Sequence, residues 1–112
     1  AMEATQRARY RVGPMAQGHG WEIYPETVPL DRLLAGNSGD MATKPHHTEP
    51  LDAPLPRERA LLNKTGSTNG FGAYVALVPA KAAGLVMLAN RNLPIPARIT
   101  AAHAVLAAIG SG

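Results

Sequence analysis

At 112 residues the chain has room for one small domain with a single modest core. Apolar residues at 46% and charged ones at 17% exclude disordered and fibrous classes, and aromatics at 4% leave the core to Val, Leu, Ile, Met and Ala. The net charge of +3 forms no basic stripe interleaved with aromatics, which argues against nucleic acid as a partner, and the lack of cysteine removes disulfides and thiolate metal sites.

Residues 1–60 hold seven of the ten prolines, so regular structure there is expected to be short and interrupted. Glu3 to Arg11 reads as the end of a helix stopped by Gly13-Pro14. Gly20 to Tyr24 reads as a short strand before Pro25. Pro29 to Ala35 suits one or two helical turns, with proline starting them and Gly36 ending them. From Gly36 to Arg59 the pattern is mostly loop, with an extended piece at Met41 to Lys44. No stretch reads as a signal peptide, and the longest apolar run is far too short to span a membrane.

The second half is more regular. Leu61 to Ser67 reads as a strand running into Gly-rich sequence, and Gly72 to Val78 as a strong strand closed by Pro79. Lys81 to Gly84 supplies a turn into a strand at Leu85 to Ala89, which makes a hairpin. Ala97 to Ile109 reads as a helix with Ile99, Ala102, Val105, Leu106 and Ile109 on one face and Gly110 as its stop. The fold class is therefore α+β. A three-stranded antiparallel sheet with a C-terminal helix (61–112) follows a Pro/Gly-rich loop region with short helices and strands (1–60), together one partial domain.

The stretch with chemistry in it is Lys64-Thr65-Gly66-Ser67-Thr68-Asn69-Gly70-Phe71-Gly72. A bare Lys-Thr-Gly is common by chance. Here it lies at a strand end, before a Gly-rich turn, a hairpin and a closing helix. That setting resembles the third signature of the penicillin-recognising serine hydrolases. Met15 to Glu22, Gly70 to Ala76, Val86 to Asn92 and Pro96-Ala97-Arg98 extend the likeness over nearly the whole chain, and it is similar to class C serine β-lactamases in particular.

The resemblance implies roles for named residues. A β-lactam carries a carboxylate near its scissile amide, which a fixed cation and hydroxyl can hold. Lys64 would supply the cation and support the proton network, and Thr65 would hydrogen-bond the carboxylate. Gly66 has no side chain, so substrate can lie against the strand. The Ser67 N–H would form half of an oxyanion hole, and its C=O would pair with the substrate amide. Asn92 and Arg98 match positions lining the carboxylate side. Where many class C enzymes have asparagine three residues before the arginine, this chain has Ile95, which cannot donate to a carboxylate.

Other parts of the machinery are missing from these 112 residues. The family's nucleophile is the serine of Ser-x-x-Lys, yet Ser38, Ser67 and Ser111 have no lysine three residues on. Tyr10, Tyr24 and Tyr74 all lack the asparagine of Tyr-x-Asn. The chain alone is thus expected to be inactive, binding a β-lactam substrate only together with the missing N-terminal part. No cofactor is implied, and the family works in the bacterial periplasm after export. A related esterase or D,D-peptidase segment is the nearer alternative, and a non-catalytic self-associating module the further one. His46-His47 lacks a third ligand at suitable spacing, so no metal site is expected, and His19 and His103 read as isolated. Lys64 precedes the Gly-rich turn, the reverse of a phosphate loop. In the family fold Leu85 to Ala89 continues the sheet into N-terminal strands, so a homodimer or a complementing chain is expected on that strand or the closing helix.

Overall fold

In a computed structural model describing residues 2–53 and 55–110, seven strands hydrogen-bond into one antiparallel sheet. The strands are β1 (Tyr10–Val12), β2 (Met15–Gln17), β3 (Glu22–Pro25), β4 (Thr48–Pro50), β5 (Ala60–Ser67), β6 (Gly72–Val78) and β7 (Ala83–Ala89). Their order across the sheet is β4-β1-β2-β3-β5-β6-β7. The helices are α1 (Met2–Thr5), α2 (Leu30–Gly36), α3 (Gly39–Thr43) and α4 (Ile95–Gly110).

The three strands legible in the sequence form one side of the sheet, and four short ones extend it to seven. Pieces of three or four residues are too short for alternation to register. The helix expected over Glu3 to Arg11 ends at Thr5, and Arg11 lies in β1. Gly13-Pro14 is not a helix stop but the two-residue loop of a hairpin that pairs Val12 with Met15. Gly13 adopts φ +55, the left-handed conformation such loops need.

Met41 to Lys44 is mostly helical rather than extended. Ser38 caps α3 by accepting the Met41 N–H at 3.4 Å, and the Lys44 ammonium lies 3.4 Å from Asp40. The turn expected at Lys81 to Gly84 falls earlier, because Pro79–Lys81 form a 3₁₀ turn and Ala82 at φ 48 reverses the chain into β7. Pro29 stands at the N-cap of α2. Gly36 is the last residue of that helix, and a side chain there would overlap the Tyr24 hydroxyl. The helix α4 continues to Gly110, the last described residue.

β5 is the central element because both its faces are covered. Its residues Ala60, Leu61, Leu62 and Asn63 are buried in succession. On one face Tyr24, Leu61, Tyr74, Ala76 and Val78 pack beneath Leu33 of α2 and beneath Ile99, Ala102 and Leu106 of α4. On the other, Ala8, Ile23, Ala60 and Leu62 gather Trp21, Leu51, Leu55 and Leu77 around them. The inward stripe of α4 is narrower than the sequence suggests. Val105 and Ile109 lie on its flank, 45% and 49% exposed, while Arg98 joins the buried face. At the sheet margin β7 turns Leu85 and Met87 toward the core and leaves Val86 and Leu88 69% and 79% exposed.

Candidate active site

The Lys-Thr-Gly segment occupies the part of β5 that has a neighbour on one side only. β3 pairs with β5 as far as Glu22 opposite Asn63, and stops there. From Lys64 to Ser67 the strand is held by β6 alone. Beyond it, the Thr68 N–H donates to the Phe71 carbonyl at 3.0 Å, which closes the hairpin. Hydrogen-bonded and non-hydrogen-bonded pairs alternate along an antiparallel ladder. The pair Ser67–Gly72 therefore turns the Ser67 N–H and C=O away from β6, toward the unpaired edge. The result is a length of backbone able to accept an extended ligand as an added strand.

Lys64 lies at the head of this edge. Its ammonium donates to Glu22 Oε1 at 3.2 Å, while the other carboxylate oxygen, Oε2, is buried without a hydrogen-bond partner. Beneath them Asn63 Nδ2 donates to the Tyr74 hydroxyl at 2.9 Å. Burial pushes the Tyr74 phenol up to about 12, the Asn63 hydrogen bond acts against that, and the Glu22 charge adds to it. Burial likewise raises Tyr24, with Glu22 and Tyr74 adding to the effect and Arg32 opposing it. Both phenols stay neutral at physiological pH, so neither offers a base. Glu22 had no expected role, and a carboxylate facing Lys64 across strands leaves no mark in sequence spacing.

Arg98 is fully buried, at 0% exposure, and has five N–H donors. Each has an acceptor. Nε donates to the Leu93 carbonyl at 2.7 Å, Nη1 to the Gly66 and Ala73 carbonyls at 3.0 Å each, and Nη2 to Ser67 Oγ at 2.9 Å and Asn92 Oδ1 at 3.0 Å. The guanidinium thereby ties together the end of β5, the start of β6 and the turn before α4. The resemblance puts a substrate carboxylate beside this side chain. In the structure its donors already meet protein acceptors.

A cleft of about 570 Å³ opens next to this junction, with Ser67, Asn92, Ile95 and Arg98 on one wall and Leu34 and Asn37 on the other. Ser67, Asn92 and Arg98 are thus brought together. Ile95 makes its stretch of the wall apolar, while Lys64 and Thr65 lie farther along the strand. Asn37 Nδ2 donates to the Leu33 carbonyl at 2.9 Å, and its Oδ1 is buried without a partner. The two adjacent histidines are exposed and separate: His46 reaches the Asp40 carbonyl at 2.9 Å, and His47 lies 3.4 Å from Glu49.

A family model described as Beta-lactamase matches residues 1–109. A β-lactamase of Pseudomonas fluorescens is 51% identical over 97% of the chain, and one of Yersinia enterocolitica is 42% identical over 97%. The chain spans 31% and 28% of the length of these two relatives. Among solved structures, a D-alanine carboxypeptidase of Burkholderia cenocepacia superposes with a TM-score of 0.91 at 45% identity, over 96% of this chain and 31% of that one. A class C β-lactamase in complex with cefoxitin gives 0.87 at 47%, over 94% and 29%.

Proposed function

We propose, because the chain belongs to the β-lactamase family as a C-terminal segment of a class C serine enzyme, that it supplies the substrate-holding strand of a β-lactam-hydrolysing site. The observation that carries this reading is the unpaired edge of β5, where Lys64 to Ser67 offer a cation, a hydroxyl and free backbone groups in sequence.

The chemistry follows from that edge. A β-lactam laid antiparallel to Lys64–Ser67 directs its carbonyl oxygen at the Ser67 N–H. A donor fixed where negative charge develops stabilises a tetrahedral intermediate, because it needs no reorganisation during the reaction. The Lys64 ammonium and the Thr65 hydroxyl receive the substrate's carboxylate, and Gly66 leaves room for its ring. The attacking serine and its lysine come from outside these 112 residues, as does the Tyr-x-Asn motif. The complete protein acylates its serine, releases the product with water, and works in the periplasm of a bacterium.

The chain alone, incubated with a chromogenic cephalosporin, is expected to show no turnover above background. A strand that stabilises an oxyanion achieves little without a nucleophile to form one. Saturable turnover that survives rigorous purification and vanishes in Lys64→Ala would overturn this division of labour. A second reading, a D-alanine carboxypeptidase segment, draws support from the Burkholderia structure. A panel of β-lactams and D-alanyl peptides on the complete protein separates the two.

The chain's partner, in this reading, is a complementing polypeptide or a second copy, seated on the open edge of β7 and the flank of α4. β7 ends the sheet with one row of backbone groups unpaired, beside exposed Val86 and Leu88.

A further inference from the structure

We propose that Arg98 acts on an anionic substrate through Ser67, whose side-chain hydroxyl is the donor presented to the cleft. This inference rests on the reading above, that the site receives a carboxylate, and names a ligand for it beyond Lys64 and Thr65.

The geometry starts from the exhausted guanidinium. Five donors meet five protein acceptors, and a sixth acceptor could enter only by displacing one of them. Among the described residues no carboxylate pairs with Arg98, and all five acceptors are neutral: three carbonyls, an amide oxygen and a hydroxyl. A buried cation of this kind is hydrogen-bonded but keeps its full charge, which is a costly arrangement in a dry interior. Its field is felt at the neighbouring cleft wall, where water screens it less than at an open surface.

Of the five acceptors, Ser67 alone carries a hydrogen of its own to pass on. Its Oγ accepts from Nη2 at 2.9 Å, and the residue is exposed and lines the cleft. A hydroxyl that accepts from a cation is polarised, so its O–H becomes a stronger donor to the next group in the chain. The lone-pair side of Ser67 is fixed by Arg98, which leaves the O–H to turn outward. Asn92 Oδ1 and the carbonyls of Leu93, Gly66 and Ala73 have no such hydrogen. Arg98 is therefore a positioning residue and Ser67 is the contact. With isoleucine at 95, the polar corner of the cleft is made by this serine.

Benzylpenicillin and its methyl ester are suitable probes, since the chain holds no nucleophile to open them. Binding is followed by the amide NMR signals of residues 64–67 and 92 in the wild-type chain, Ser67→Ala and Ser67→Thr. The expected result is that Ser67→Ala weakens the free acid about tenfold, the worth of one charge-assisted hydrogen bond. The ester should change less than twofold, and Ser67→Thr, which keeps the hydroxyl, should restore the acid. Equal losses for acid and ester, an acid indifferent to Ser67→Ala, or no binding of either would each overturn the proposal. No turnover is read in this experiment. A carboxylate-dependent loss at Ser67 therefore stands even if complementation yields no hydrolysis, and that outcome would count against the proposed function alone.

Discussion

Arg98 lies so close over Gly72 that a Cβ built on the glycine would stand 2.9 Å from the guanidinium Cζ and 3.0 Å from Nε. Gly72 is the first residue of β6 and faces Ser67 across the ladder, so the close approach allows one arginine to reach Gly66, Ala73 and Ser67 together.

Gly72→Ala is therefore expected to lower stability by about 1–3 kcal/mol, the usual cost of forcing atoms into a packed site. The guanidinium cannot retreat without giving up hydrogen bonds. Urea denaturation of the two chains measures this, and an unchanged midpoint would show that Arg98 is less tightly held than its hydrogen bonds indicate.

Tyr74 makes the alkaline limb of the stability curve informative. Its pKa rises from 10.0 to about 12 on folding, so the folded state keeps a proton that the unfolded chain has lost. That contribution is complete below pH 10 and disappears as pH climbs toward 12. Tyr74→Phe should be less stable than wild type at pH 7 by about 1–3 kcal/mol, because Asn63 Nδ2 loses its partner. It should also lose less stability between pH 10 and 12, so the two curves converge. Parallel curves through that window would mean that the phenol titrates normally.

The two sides of α4 should respond differently to truncation. Ile99 is completely buried, and Ile99→Ala is expected to cost about 2–5 kcal/mol through lost contacts and a cavity. Val105 is half exposed, and Val105→Ala should fall within about 0.5 kcal/mol. Similar losses at both positions, measured in the same denaturant series, would put Val105 in the core after all.

The sheet margin should control self-association. If β7 pairs with another strand, Leu88→Lys places a charge beside the contact and should shift the mass found by light scattering toward the monomer. A wild-type chain that stays a well-dispersed monomer at high concentration would remove the interface altogether.

Much of this architecture is legible in the sequence where residues alternate over a long stretch. Gly72 to Val78 buries every second side chain and is found at its expected bounds. The α4 helix is legible too, though its period does not say how wide a stripe the sheet covers, so Val105 and Ile109 look inward until the packing is known. β1, β2 and β4 are three-residue strands that exist because partners hold them, and nothing local in Tyr10–Val12 prefers a strand to a helix. In the site, Lys64 and its neighbours stand out through a contiguous motif. Glu22 and Asn63 do not, since they become neighbours only when β3 registers against β5. The buried state of Arg98 was equally hidden, because an arginine near a helix start usually faces water.

The most direct test of the proposed site is complementation. An N-terminal polypeptide carrying Ser-x-x-Lys and Tyr-x-Asn, mixed with this chain, is expected to hydrolyse a chromogenic cephalosporin when neither part does so alone. Lys64→Ala in this chain should abolish most of that activity while leaving the assembled mass unchanged. A complex that assembles and stays inert, or one whose turnover ignores Lys64→Ala, would contradict the assignment of this strand to the active site.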